Sequence, residues 1–217
     1  MVITRIPVGP LMANCYLLAD APGGRAVLLD PGDEAELILD KLQGGSYSLA
    51  AIWLTHAHFD HVGALADITK HHQVPIYLHP KDRPLLEMAQ EAAAQWDIPI
   101  SKPPTEVTDI HDGATLKLGD IESRCLFTPG HAPGHIAFYF PGEGCVFAGD
   151  ALFRGSIGRT DIPFGDSRQL LESIHQKLLT LPEDTVIYPG HGPETTIGNE
   201  AATNPFLTSQ DPSRTFS

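Results

Sequence analysis

Four metal-seeking side chains fall within six consecutive positions of the stretch "THAHFDHVG": His56, His58, Asp60 and His61. Imidazole nitrogens and carboxylate oxygens suit zinc, iron or manganese and do not choose among them. In an irregular loop, His56 and His58 are two apart and can aim at one point. Asp60 and His61, at the turn into a helix, can face a second. Three more candidates follow strand-like runs: His131 in "FTPGHAPGH", Asp150 in "VFAGD" and His191 in "VIYPGH". His131 would complete a three-histidine group with His56 and His58, and His191 would join Asp60 and His61. The two oxygens of Asp150 would bridge the groups. Each ion would then keep a position open for water, as catalytic sites do and closed structural sites do not.

A solvated loop or a satisfied core explains a lone histidine, and His71, His72, His79, His111 and His175 are read that way. It does not explain this set, because burying so many ionisable groups without a partner is costly. Asp30 and Asp33 of "DPGD" fit two roles equally well, holding a ligand from behind or forming a turn.

Alternating strands and helices must position these residues. Strand patterns cover 3–8, 13–19, 26–29, 49–54, 75–78, two strands within 115–127 about Gly119-Asp120, and 186–188. A hairpin around "PGEG" joins 136–140 to 145–148. Helical spacing covers 34–42, 62–72, 84–96 and 167–181. The polar, proline-interrupted tail after Gly198 is expected to carry little regular structure. No linker or repeat divides the chain, so 1–217 reads as a single domain.

The chain has 217 residues and a net charge of −13, which argues against a nucleic-acid surface. No apolar run approaches the roughly 20 residues of a membrane helix. The start has no signal-peptide pattern, and three unpaired-looking cysteines, Cys15, Cys125 and Cys145, fit buried reduced thiols. A cytoplasmic location is expected.

"THAHFDH", "PGH", "GD" and "YPGH" resemble the motif series of the metallo-β-lactamase superfamily, from "NCYLL" to His191. The resemblance implies an αββα sandwich with the metals at one edge. Flavodiiron proteins of that superfamily carry Glu where this chain has His58. "GDALFRGSIGRTDIPFGD" and "YPGHGPETTIGNEAATNPF" are similar to short-form glyoxalase II proteins, the hydroxyacylglutathione hydrolases. The implied reaction is hydrolysis of S-lactoylglutathione or a similar thioester by a metal-bound hydroxide, with two divalent ions, zinc first and iron or manganese as alternatives. Asp60 and Asp150 would be catalytic as well as metal ligands. The resemblance makes Arg159 of "GRTD" a glutathione anchor, against an internal ion pair with Asp161 or Asp166. His135 is placed beside substrate or in a polar core role, and Arg154 on the surface. The helical C-terminal domain of longer glyoxalase II enzymes, which supplies much of their glutathione pocket, is not expected here. That leaves the pocket open and the thioester undetermined.

The rival readings are another hydrolase of the same fold, such as a lactonase, and, nearest, a persulfide dioxygenase with one iron on His56, His131 and Asp150. Those enzymes typically carry Cys at the His135 position and "YPAHDY" in place of "YPGHGP".

Overall fold

The computed structural model of the chain describes residues 1–208. One six-stranded sheet takes β1 (Val2–Val8), β2 (Ala13–Ala19), β3 (Arg25–Leu29), β4 (Ser48–Trp53), β5 (Ile76–Leu78) and β6 (Thr108–Asp109), in that order. Its first three strands pair antiparallel and β3 to β6 parallel. The change marks where hairpins give way to helical crossovers. Those crossovers are α1 (Ala35–Gly44), α2 (Phe59–Val62) with α3 (Leu65–His71), and α4 (Arg83–Ala94).

The second sheet contains β7 (Thr115–Leu118), β8 (Ile121–Phe127), β9 (Ile136–Phe140), β10 (Cys145–Gly149), β13 (Val186–Pro189) and β14 (Thr195–Thr196), in the order β14-β13-β10-β9-β8-β7. A small hairpin of β11 (Leu152–Phe153) and β12 (Ser156–Ile157) stands apart. The helix α5 (Ser167–Ser173) continues into a π-helical turn, Ile174–Leu178, and α6 (Ile197–Thr203) and α7 (Pro205–Thr208) follow later.

Alternation along the strands builds the layers. In β2, Cys15, Leu17 and Ala19 pack with Ile38, Leu42, Leu65 and Leu86 of the helices on one face. Tyr16 and Leu18 point the other way, into the seam between the sheets. In β10, Cys145 and Phe147 enter that seam, while Val146 and Ala148 meet Leu170, Ile174 and Leu178. Period-two alternation thus serves three apolar seams between four layers, an αββα sandwich of the metallo-β-lactamase type. Aromatics fill the middle seam: Trp53 stacks on Phe140 at 6.1 Å, and Tyr16 meets Phe147 edge-on at 5.0 Å. Each such side chain fully buried contributes about 1.5–3 kcal/mol. The three cysteines are buried and unpaired. Burial pushes the thiols of Cys125 and Cys145 up to about 12, so neither is a ready nucleophile.

The structure corrects three local readings. The helical pattern over 62–72 is two helices, broken at Gly63, where a Cβ would stand 2.3 Å from the Gly32 carbonyl. The two-residue strands β6, β11, β12 and β14 are too short to carry an alternation signal. The segment after Gly198 is helical rather than irregular as far as Thr208. Thr196 Oγ1 accepts from Asn199 N–H at the start of α6. The fully buried Glu200 then accepts from Gly155, Thr195, Asn199 and Asn204. Polar residues here form a buried network instead of a solvated tail. The same expectation for 209–217 lies outside the described residues. No helix among the described residues is long and apolar enough to cross a membrane.

Candidate metal centre

The ligand candidates come from both sheets and meet at one end of the sandwich. His56 and His58 lie in the loop leaving β4, and Asp60 and His61 within α2. His131 follows β8, Asp150 follows β10 and His191 follows β13. Parallel β3–β4 and β10–β13 pairs put these exits at one edge, where crossover loops ordinarily carry function.

The candidate ligands' donor atoms form two groups, and a third set, Asp30 with His56 and His61, overlaps both. Those of His56, His58 and His131 lie within 4.8 Å of one another, and so do those of Asp60, His61 and His191. In the first group, His58 Nδ1 stands 2.9 Å from His131 Nε2. In the second, His61 Nε2 stands 3.3 Å from His191 Nε2, which is 3.3 Å from Asp60 Oδ2. Asp150 sits between them. Its Oδ2 lies 3.4 Å from His131 Nε2 and 3.6 Å from His191 Nε2, and its Oδ1 lies 3.5 Å from His61 Nε2.

Hydrogen bonds behind the rings set which nitrogen is free. The Thr55 hydroxyl donates to Asp30 at 2.6 Å, so its oxygen accepts from His56 Nδ1 at 2.9 Å, leaving Nε2 as the lone pair. His131 Nδ1 donates to the Arg159 carbonyl at 2.8 Å, and His191 Nδ1 to the Leu11 carbonyl at 3.1 Å. His61 Nδ1 donates to Asp30 at 3.2 Å. Four imidazoles therefore aim an Nε2 inward with the opposite N–H anchored, the arrangement metal-ligating histidines adopt. Two of the inward atoms, His56 Nε2 and Asp150 Oδ1, are buried without a hydrogen-bond partner. Such orphans cost stability unless something else satisfies them. The donor set fits a pair of metal ions. Space is kept by glycine: a Cβ on Gly190 would stand 2.0 Å from Asp150 Oδ1 and 2.9 Å from His61 Cε1.

Burial and neighbouring charge divide the groups electrostatically. Burial, then the adjacent imidazoles, press His56 well below its ordinary value. Burial brings His58 to about 3 and His131 to about 4. The opposite holds for His61: burial lowers it, but Asp150, Asp60 and Asp30 together carry it up to about 10. His191 is raised by Asp150 and Asp60 against its own burial. Asp60 is held well below the carboxylate range by His61 and His191, which outweigh burial.

The remaining candidates sort themselves. Asp30 holds His61 and Thr55, whereas Asp33 makes a turn by accepting from the amide of Glu34. His135 does not reach substrate. It is fully buried, with Nδ1 donating to Thr128 Oγ1 at 2.8 Å and Nε2 accepting the Asp150 amide at 3.0 Å. Both nitrogens are occupied, Nδ1 by Thr128 and Nε2 by the Asp150 amide. Arg159 forks onto Asp161 at 2.9 and 3.0 Å, so its internal ion pair is present, and both side chains are about half exposed. Its carbonyl rather than its charge reaches the ligand His131.

Sequence reasoning missed the supports. Asn14 donates its amide to the carbonyls of Pro189 and Gly192 at 3.0 and 2.9 Å, and the Tyr16 hydroxyl donates to Pro189 at 2.7 Å. Together they fix the turn that presents His191. A polar Asn opening the otherwise apolar run "NCYLLA" was the available signal.

A family described as the metallo-beta-lactamase superfamily matches residues 8–191. A hydroxyacylglutathione hydrolase, GloC, from Haemophilus influenzae is 41% identical over 212 residues, covering 97% of this chain and 100% of that protein. The crystal structure of TTHA1623 in a di-iron-bound form shares 48% identity with a TM-score of 0.88, covering 94% of this chain and 100% of that one. The crystal structure of the B3 metallo-beta-lactamase BLEG-1 shares 41% identity with a TM-score of 0.87, covering 96% of this chain and 100% of that one.

Proposed function

The chain belongs to the metallo-β-lactamase superfamily, and from that premise we propose that it hydrolyses small-molecule thioesters of the S-lactoylglutathione kind, releasing a 2-hydroxy acid and glutathione. The observation that carries the hydrolytic reading is the pair of three-residue donor groups with Asp150 between them and two inward atoms orphaned. The thioester comes from the full-length similarity to GloC.

His56, His58, His131 and Asp150 would hold one ion, and Asp60, His61, His191 and Asp150 the other. Zinc and iron are the ions proposed, iron because TTHA1623 carries two. When bound, such ions lower the pKa of water toward neutrality and balance negative charge on an acyl oxygen. Asp60, ionised and partly exposed beside the second group, would orient the attacking water, whose proton passes to solvent. The water oxygen forms a bond to the acyl carbon, the C–S bond breaks, and the thiolate takes up a proton from solvent. The buried thiols take no part. His135 keeps Asp150 aimed through its amide. Arg159 would exchange Asp161 for a glutathione carboxylate, a bidentate partner of the same geometry.

A paired assay on one preparation of known metal content tests this. One arm follows loss of S-lactoylglutathione and the other oxygen uptake with glutathione persulfide. Thioester loss with two metals per chain supports the proposal. Oxygen uptake with one iron per chain overturns it.

A further inference from the structure

Asp82 stands at the start of α4, where an aspartate ordinarily caps its own helix. Here no side-chain cap bond forms. The fully buried carboxylate turns toward two other loops instead. Oδ2 accepts the Ala57 amide at 3.1 Å, and Oδ1 accepts the Gly134 amide at 2.5 Å. Ala57 lies between His56 and His58. Gly134 lies in the loop that carries His131 and ends at His135. A Cβ on Gly134 would stand 2.6 Å from Asp82 Oδ1, so only glycine lets that amide approach.

We propose that Asp82 is a positioning residue, a buried carboxylate that ties the His56–His58 loop to the His131 loop and so sets the spacing of the first ligand group without being a ligand. Two convergent amides in a buried place require an acceptor for each. One carboxylate supplies both, one oxygen to each amide, and the two amide bonds oppose the burial that pushes Asp82 up to about 7. The second group hangs on other bonds, from Asp30 behind His61 and the Leu11 carbonyl behind His191. Loss of the Asp82 carboxylate therefore falls first on the group whose two loops it ties. Asparagine would keep the shape but set an NH2 against one of the two amides.

This inference rests on the metal reading, and its test separates the two. Zinc affinity is measured by competition with a chelator in two backgrounds, His191→Ala, which leaves the first group intact, and His131→Ala, which leaves the second. Adding Asp82→Asn to His191→Ala weakens zinc binding about 10- to 100-fold, the range for losing a group that orients a ligand. Adding it to His131→Ala weakens binding much less, because the Asp82 bonds brace the backbone beside His56, His58 and His131 and reach the second group only through the shared Asp150. Glu200→Gln, a buried carboxylate away from the centre, lowers Tm and leaves both affinities alone. Equal weakening in both backgrounds, or none in His191→Ala, overturns the assignment. So does failure to fold of both Asp82→Asn and the smaller Asp82→Ser, since the carboxylate would then serve the fold as a whole. If neither background binds zinc at all, the metal reading fails and the Asp82 assignment falls with it.

Discussion

The two candidate groups meet at Asp150 and are braced by the same Asp30, yet they differ in charge. The first is three imidazoles, pressed toward neutrality by burial and by one another, with His58 near 3 and His131 near 4. The second mixes imidazole with carboxylate. Its His61 is carried up to about 10, and its Asp60 and His191 keep side-chain exposures of 17% and 27%. One group offers lone pairs already free of protons. The other carries a proton on His61 and opens to solvent at Asp60 and His191. An ion entering the first displaces nothing, whereas an ion entering the second must displace protons.

The most damaging way to break this contrast is to remove the shared residue. Asp150→Ala lowers hydrolysis by at least about 10²- to 10³-fold, the scale for deleting a charge-stabilising element, and lowers metal content at both groups. Retention of two tightly bound ions would deny Asp150 its bridging place.

Proton displacement sharpens the contrast next. His61, carried up to about 10, holds a proton at neutral pH, so the second ion competes with it, and His191 is raised in the same direction. Its affinity falls as pH falls, about tenfold per pH unit for each proton displaced. The first ion's affinity stays flat down to about pH 5, because His58 and His131 titrate below that. Calorimetry in buffers of different ionisation enthalpy counts the protons released at each step. Equal release at both steps would erase the distinction.

A smaller effect concerns substrate. Arg159→Ala raises KM for a glutathione thioester about tenfold, roughly the loss of one charged hydrogen-bonded contact, and lowers kcat less. An unchanged KM would leave Arg159 with Asp161 alone.

The smallest effect lies outside the centre. His79, buried and stacked on Phe127 at 4.6 Å, is lowered to about 4 by burial and by nearby His111 and Lys81, with Asp109 opposing. Its folded value is below its unfolded one. Its contribution to stability is therefore complete above the ordinary histidine range and is lost as pH falls through it toward 4. His79→Gln should make Tm less sensitive to pH between about 6.5 and 4. An unchanged slope would show that the burial of His79 has no energetic weight.

The sequence made the ligands legible because their chemistry is written locally. His56 to His61 announce themselves by type and spacing, and His131, Asp150 and His191 follow apolar runs that read as strands. The layers were legible for the same reason, since alternation along β2 and β10 is a local signal. What escaped depends on partners far along the chain. Asp82 in "KDRP" looks like a helix cap until the fold brings Ala57 and Gly134 onto it. His135 looks free for substrate until Thr128 and the Asp150 amide occupy both its nitrogens. The polar "TTIGNEAATN" looks solvated until Glu200 gathers four donors around itself.

Four of the ligands leave the first sheet and three the second. Bound ions would therefore rivet together two halves that otherwise meet through an apolar seam. Ions that bind only the folded chain add about 2.7 kcal/mol per site at a concentration one hundred times their Kd. The share of chains folded at any moment then follows the metal supply of the surroundings. Chelation should shorten the lifetime of the whole molecule against proteases as well as stop its chemistry.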